Sequence, residues 1–124
     1  MRITLIALFG AIGTLLRYGI QLFVNEKTGG TFPYGTLLIN LLGCFFLALI
    51  GQYALNHTTA IPNDLRIAIG VGFFGGFTTF SSFGWETANL IDSNRWPAAA
   101  TYVTASVAVG ILLSIAGMRL ANRF

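Results

Sequence analysis

Apolar stretches long enough to cross a membrane recur four times in this sequence of 124 residues, at about 3–24, 34–55, 65–91 and 97–121. A hydrocarbon core about 30 Å thick takes roughly 20 helical residues to span, and a peptide group left unpaired inside it costs several kcal/mol. Each stretch therefore predicts a transmembrane helix. The connections are short and carry turn and helix-start residues: Asn25-Glu26-Lys27-Thr28-Gly29-Gly30, then Asn56 to Asp64 with Pro62, then Asp92-Ser93-Asn94-Arg95-Trp96-Pro97. In the last of these Pro97 sits at a helix start and Trp96 at a membrane interface. None has room for a second domain, so residues 1–124 read as one all-α membrane domain of four helices. The apolar run to Val24 is too long for the hydrophobic region of a signal peptide and shows no clear small-residue cleavage site, so it counts as the first span.

With 55% hydrophobic residues, 9% charged residues and a mean hydropathy of +0.74, the chain lacks the polar surface that a water-soluble domain of this size presents. Its basic residues, Arg2, Arg17, Lys27, Arg66, Arg95, Arg119 and Arg123, are scattered singly, so the net charge of +3 makes no nucleic-acid patch. The single cysteine, Cys44, lies in an apolar run without an intrachain partner, and close packing is its ordinary role. One His, one Cys and isolated carboxylates supply no triad, dyad or metal cage, which leaves an enzyme the least supported class. The sequon Asn56-His57-Thr58 and His57 itself sit in a loop without further ligand residues and carry no functional weight.

Four spans put both termini and the second connection on one side, which collects Arg2, Arg66, Arg119 and Arg123. The other side holds Lys27 and Arg95, with Arg17 nearby. Orientation follows the Lys/Arg asymmetry of short loops, and four against two or three barely selects one. Insertion in both orientations is as well supported by charge as a single, weakly specified one.

Polar residues inside the spans cost free energy unless they are paired or face water, so they carry the functional argument. Gly10, Gly13 and Arg17 share one face of the first helix, where the guanidinium can either snorkel to the boundary or attract an anion. Thr36 and Asn40 are four apart and Gly43 continues their face, placing donors beside a strip that another backbone can approach; an interhelical amide and a pore-lining amide are both open for Asn40. Tyr102 and Ser106 are one turn apart, and Ser106, Gly110 and Ser114 form a small-residue strip whose ordinary meaning is close helix packing.

The third span is the richest: Gly70-Val71-Gly72-Phe73-Phe74-Gly75-Gly76-Phe77-Thr78-Thr79-Phe80-Ser81-Ser82-Phe83-Gly84. Glycine disfavours helix, and Ser/Thr side chains offer the backbone other partners, so a break is expected between Gly75 and Thr79. Irregular backbone at membrane depth persists only where protein or a cavity buries it, and the freed carbonyls must meet a cation, a water or another chain. Phe80 and Phe83 share a face that Glu86 continues one turn later. In a membrane span two phenylalanines are ordinarily packing residues, and only their place beside a break gives them more weight.

These segments resemble the CrcB/Fluc fluoride channels: Gly13 through Arg17-Tyr18, Gly35-Thr36-Leu37-Leu38-Ile39-Asn40-Leu41-Leu42-Gly43, and above all Gly75-Gly76-Phe77-Thr78-Thr79-Phe80-Ser81-Ser82-Phe83. The similarity covers essentially the whole chain in motif order and span count. It departs at Ser82, where the family pattern more often has threonine; both keep a hydroxyl. The resemblance implies a dual-topology antiparallel homodimer in the bacterial cytoplasmic (inner) membrane. Such a dimer exports fluoride passively through two pores, protects the cell from fluoride toxicity and holds a structural sodium ion at its centre. Carried over by position, the Phe80 and Phe83 rings contact the ion, Asn40, Ser106 and Tyr102 give polar lining, and Arg17 sits toward a vestibule. Glu86 matches an acidic position near the pore, Thr79 and Ser81 a hydroxyl track, and Gly75 and Thr78 the carbonyls that bind sodium.

The chemistry of a small, strongly hydrated anion fits these residue types independently. Its water shell must be replaced by donors that do not hold it too tightly, and a full positive charge in the narrow part would trap it. Hydroxyls, an amide and the positive edge of a phenyl ring are such donors, whereas Glu86 is awkward beside an anion and its role is open. A proton-coupled drug exporter of the small four-span type, also an antiparallel dimer, is the rival; it needs a carboxylate early in the chain, where this sequence has Arg17. A purely structural helper of membrane assembly gives no reason for a glycine-rich break with hydroxyls.

Overall fold

A computed structural model describes all of residues 1–124, and its architecture is wholly helical. Three helices are continuous enough to cross a membrane: α1 (Arg2–Thr28), α2 (Tyr34–Asn56) and α5 (Trp96–Ala121). The third span is made in two pieces, α3 (63–77) and α4 (Phe80–Asp92), joined through Thr78 and Thr79 in extended conformation. The α1 helix outruns its expected end: residues 25–28 stay helical, and the chain turns only where Gly29 takes the left-handed conformation (φ 73°) that ends a helix most easily. Lys27 in that last turn faces the negative end of the helix dipole.

Lipid tails are as apolar as leucine, so burying side chains between helices gains little, and close backbone approach must hold the bundle instead. Two glycine seams provide it. Along α1 and α3, a Cβ added to Gly13 would stand 2.1 Å from the Phe73 carbonyl oxygen, one on Gly76 2.5 Å from that of Gly10, and one on Gly72 2.7 Å from that of Ile6. Between α2 and α5, a Cβ on Gly117 would reach within 2.4 Å of the Phe45 carbonyl oxygen and one on Gly110 within 3.3 Å of Cys44 Sγ. The Ser106, Gly110 and Ser114 strip thus runs against α2, and Ser114 Oγ donates to the Cys44 carbonyl at 3.2 Å. Small apolar clusters fill what remains, one around Ile39, Phe74 and Phe77 and one around Leu90, Ala99 and Tyr102. Both α3 and α5 contain a widened turn of i→i+5 pairing, Ala68–Phe74 and Ala105–Val109.

Polar contacts tie each end of the bundle. At one end Arg2 Nε pairs with Asp64 Oδ1 at 2.7 Å and Asn56 Nδ2 donates to Asn122 Oδ1 at 2.9 Å, so both termini and the second connection meet. Arg66, counted with that end, turns back on its own loop and donates to the carbonyls of Ile61 at 2.9 Å and His57 at 3.2 Å. At the other end Arg95 Nη1 donates to the Thr31 carbonyl, joining the first and third connections.

The seam makes a direct prediction. Gly13→Ala should destabilise the protein by about 1–3 kcal/mol, because its methyl can push only against backbone. Gly51→Ala, with open space around it, should leave stability unchanged or raise it by up to about 1 kcal/mol. Thermal unfolding in detergent measures both, and identical behaviour of the two variants would contradict the seam.

Candidate functional site

The break falls at Thr78 (φ −89°, ψ 161°) and Thr79 (φ −151°, ψ 119°), at the far end of the expected segment. Gly75 keeps helical angles (φ −63°, ψ −35°), so within the expected segment the unwinding is confined to its threonine end. Gly72 and Gly76 are taken up by packing on α1. The hydroxyl residues take over the unwinding. Thr78 Oγ1 donates back to the Phe74 carbonyl at 2.8 Å, and Thr79 Oγ1 accepts from the Ser82 amide at 3.2 Å, capping α4. Asn40 on α2 clamps the gap: its Nδ2 donates to the Thr79 carbonyl at 3.0 Å, and the Thr79 amide donates to its Oδ1 at 2.8 Å. Both backbone groups of the extended residue are satisfied by one side chain, and one Nδ2 hydrogen of Asn40 is left over.

That arrangement diverts two helical donors. A continuous helix would give the Thr79 and Ser82 amides to the carbonyls of Gly75 and Thr78; here they go to Asn40 Oδ1 and Thr79 Oγ1. A cavity of about 350 Å³ opens beside the break, lined among others by Asn40, Gly43, Thr78, Thr79, Phe80 and Ser114. Gly43 was expected to admit another backbone. It admits the Thr78 side chain instead, whose Cγ2 would lie 2.1 Å from a Cβ at that position.

From the break, aromatic rings lead to a carboxylate. Phe80, 83% exposed on the protomer, has its ring centroid 5.6 Å from that of Phe83, which in turn lies 5.1 Å from the Tyr102 ring. Tyr102 is fully buried and its hydroxyl donates to Glu86 Oε2 at 2.6 Å. Thr36 Oγ1 donates to Glu86 Oε1 at 2.7 Å and accepts from Gln21 Nε2 at 2.9 Å. Each oxygen of the Glu86 carboxylate thus has a neutral hydroxyl donor. Glu86 also borders a polar cavity of about 290 Å³ at the end held by Arg95, with Asn25, Trp85, Asn89 and Ser93 around it.

The remaining candidates fall into two groups. Thr79 Oγ1 donates to Ser82 Oγ at 3.1 Å and meets the exposed Ser81 hydroxyl at 3.3 Å, so these hydroxyls cluster at the break. Ser106, in the widened turn one helical turn past Tyr102, and Arg17 on α1 each bury a donor atom, Oγ and Nε, with no partner in the protomer. Arg17 is not drawn into the Glu86 network, and the chain's one salt bridge lies elsewhere. Sequence reasoning passed over Gln21 entirely and did not count Thr36 among the candidate residues. Thr36 carried a signal, four residues before Asn40; Gln21 offered only an uncharged polar group in an apolar stretch. As a whole the site presents neutral donors and ring edges beside a carboxylate already supplied with donors, which suits a weakly held anion.

Replacing Asn40 by leucine removes both clamp bonds and leaves the Thr79 amide and carbonyl facing an apolar side chain. Asn40→Leu should cost about 2–4 kcal/mol of stability, measured by thermal unfolding in detergent. An unchanged unfolding temperature would show that the break does not depend on the clamp.

The family model of CrcB-like protein, Camphor Resistance (CrcB), matches residues 4–118. Among curated relatives, Fluoride-specific ion channel FluC of Geobacter metallireducens is 44% identical over 122 residues, covering 98% of each chain. The protein of the same name from Sorangium cellulosum is 41% identical over 118 residues, 95% of this chain and 92% of that one. Fluoride-specific ion channel FluC 1 of Latilactobacillus sakei is 45% identical over 107 residues, 86% of this chain and 77% of its own.

Proposed function

The chain belongs to the CrcB family, and on that premise we propose that it is a fluoride-selective channel, a multi-pass protein of the bacterial cytoplasmic membrane that lets fluoride leave the cell passively. The observation that carries this reading is the line of ring edges and neutral hydroxyls running from the broken third span to Glu86. An ion entering a membrane gives up hydration, and the barrier stays low only if many weak donors replace it along the way. In this reading the edges of Phe80 and Phe83, the hydroxyls of Ser81 and Ser106 and the spare hydrogen of Asn40 are those donors, while Thr79 and Tyr102, whose protons go to Ser82 and Glu86, line the path. The buried, unpartnered Ser106 Oγ and Arg17 Nε support it, because such an atom costs about 1–3 kcal/mol unless something from outside the protomer bonds to it. Arg17 serves a vestibule, where a full charge attracts the anion without trapping it. Glu86 borders the pathway with its carboxylate held by two hydroxyl donors, so its repulsion of fluoride is reduced.

Phe80 is exposed, so the pathway needs a second surface to close it, and a second copy of the chain inserted in the opposite orientation supplies one. The near-balanced loop charges support such dual topology. At the two-fold axis of this homodimer the carbonyls of Gly75 and Thr78 from both copies would hold a sodium ion. Their fit to a hard cation rests on the diversion of both helical donors, which leaves carbonyl oxygens in need of a partner at membrane depth. The ion supplies positive charge that joins the protomers.

Purified protein in liposomes should release fluoride and retain chloride. Phe80→Ile and Phe83→Ile keep the volume but lose the ring edge, so each should reduce fluoride efflux by at least about tenfold while the size-exclusion profile stays that of the parent. Parent-like efflux from both variants would return the two rings to packing. Removing sodium from both sides of the membrane should abolish efflux; undiminished flux without sodium would rule out the central ion.

A further inference from the structure

We propose that Gln21 is a positioning residue for fluoride conduction, whose carboxamide, by donating to Thr36, fixes the direction of the hydrogen-bond chain that holds Glu86. The inference rests on the channel reading and deepens it. Gln21 Nε2 lies 2.9 Å from Thr36 Oγ1, and Thr36, only 2% exposed, gives its single hydroxyl proton to Glu86 Oε1 at 2.7 Å.

A threonine hydroxyl within a helix or just past its end commonly gives that proton to backbone. Thr28, Thr78, Thr87 and Thr101 each donate to the carbonyl four residues back, at 2.7–2.8 Å. Thr36 lies in the first turn of α2, with no helical carbonyl four residues back to take its proton, and it is the only one of the five that receives a side-chain amide donor. An N–H arriving at the oxygen polarises the hydroxyl and strengthens the bond it makes onward to the carboxylate. The approach is built into the backbone as well. A Cβ on the neighbouring Gly35 would stand 3.1 Å from Gln21 Cα and 3.1 Å from Asn25 Oδ1, so glycine there lets α1 come close enough for Gln21 to reach Thr36.

Glu86 is therefore held by a neutral donor on α2 and one on α5, with α1 supporting the former through Gln21; no cationic side chain pairs with it. Without Gln21 the Thr36 hydroxyl loses the donor that orients and polarises it, and its bond to Glu86 Oε1 weakens. Glu86 is then freer to swing toward the polar cavity that it borders, where its charge faces the ion. The bond thus keeps the carboxylate turned aside.

The test uses the full-length protein in liposomes. Gln21→Met keeps the length and removes the donor, and should slow fluoride efflux about three- to tenfold. Thr36→Val should slow it at least as much, and the double variant no further than Thr36→Val alone. In the infrared spectrum, the carboxylate band assigned to Glu86 by its loss in Glu86→Gln should shift in Gln21→Met. Should Gln21→Met fail to fold, Gln21→Asn, too short to reach Thr36, carries the same expectations. Independent, multiplying losses together with an unmoved band would overturn the role of Gln21. A parent protein that carries no fluoride would instead overturn the channel reading, and the band shift would still report the bond chain.

Discussion

Everything distinctive about this protein depends on how it satisfies two peptide groups part-way along a membrane span. A helix pairs its own backbone, and any interruption within hydrocarbon must find replacements of comparable strength. Asn40 provides them, offering a donor and an acceptor on one planar group to the carbonyl and the amide of Thr79. The clamp lets the third span stop and restart without exposing backbone to lipid. It also takes up the amide that a continuous helix would give to the Gly75 carbonyl, so the bond that stabilises the interruption also marks where the helical ladder stops.

The glycines have a different task from the one their helix-breaking reputation suggests. With little hydrophobic gain from pressing side chains together in lipid, the helices are held by direct backbone contact, and the seams at Gly13, Gly72, Gly76 and Gly117 are where this happens. The α1–α3 seam runs up to the short extended link and confines irregularity to Thr78 and Thr79. The rings and hydroxyls that follow start from a fixed point.

Much of this was legible in the sequence, for physical reasons. Span length and apolarity are properties of composition, so the four spans, the meeting of both termini and the second connection at one end, and a break between Gly75 and Thr79 were within reach. What was not legible depends on neighbours distant in sequence. Nothing local says that Gly72 and Gly76 are occupied by α1 and so stay helical, leaving the hydroxyls to unwind the chain. Gln21 matters only because α1 approaches α2 at Gly35, and Glu86 could be placed only once Thr36 and Tyr102 were seen on either side of it. The extension of α1 to Thr28 was hidden because polar residues in a final helical turn look the same as a loop.

The widened turn at Ala105–Val109 carries a consequence for how such a chain can change over time. It separates Tyr102, which faces Glu86, from Gly110, Ser114 and Gly117, which face α2, and the extra residue in that turn sets the angle between the two faces. Deleting one residue from the ordinary helical turns that flank it would rotate one half of α5 against the other by about 100°, turning Tyr102 away from its carboxylate even if every side chain on the packing face were kept. Substitutions along this helix are absorbed locally, whereas a change of length is not. Residue number within the span is thus inherited information in its own right, and insertions and deletions are expected to collect in the short connections.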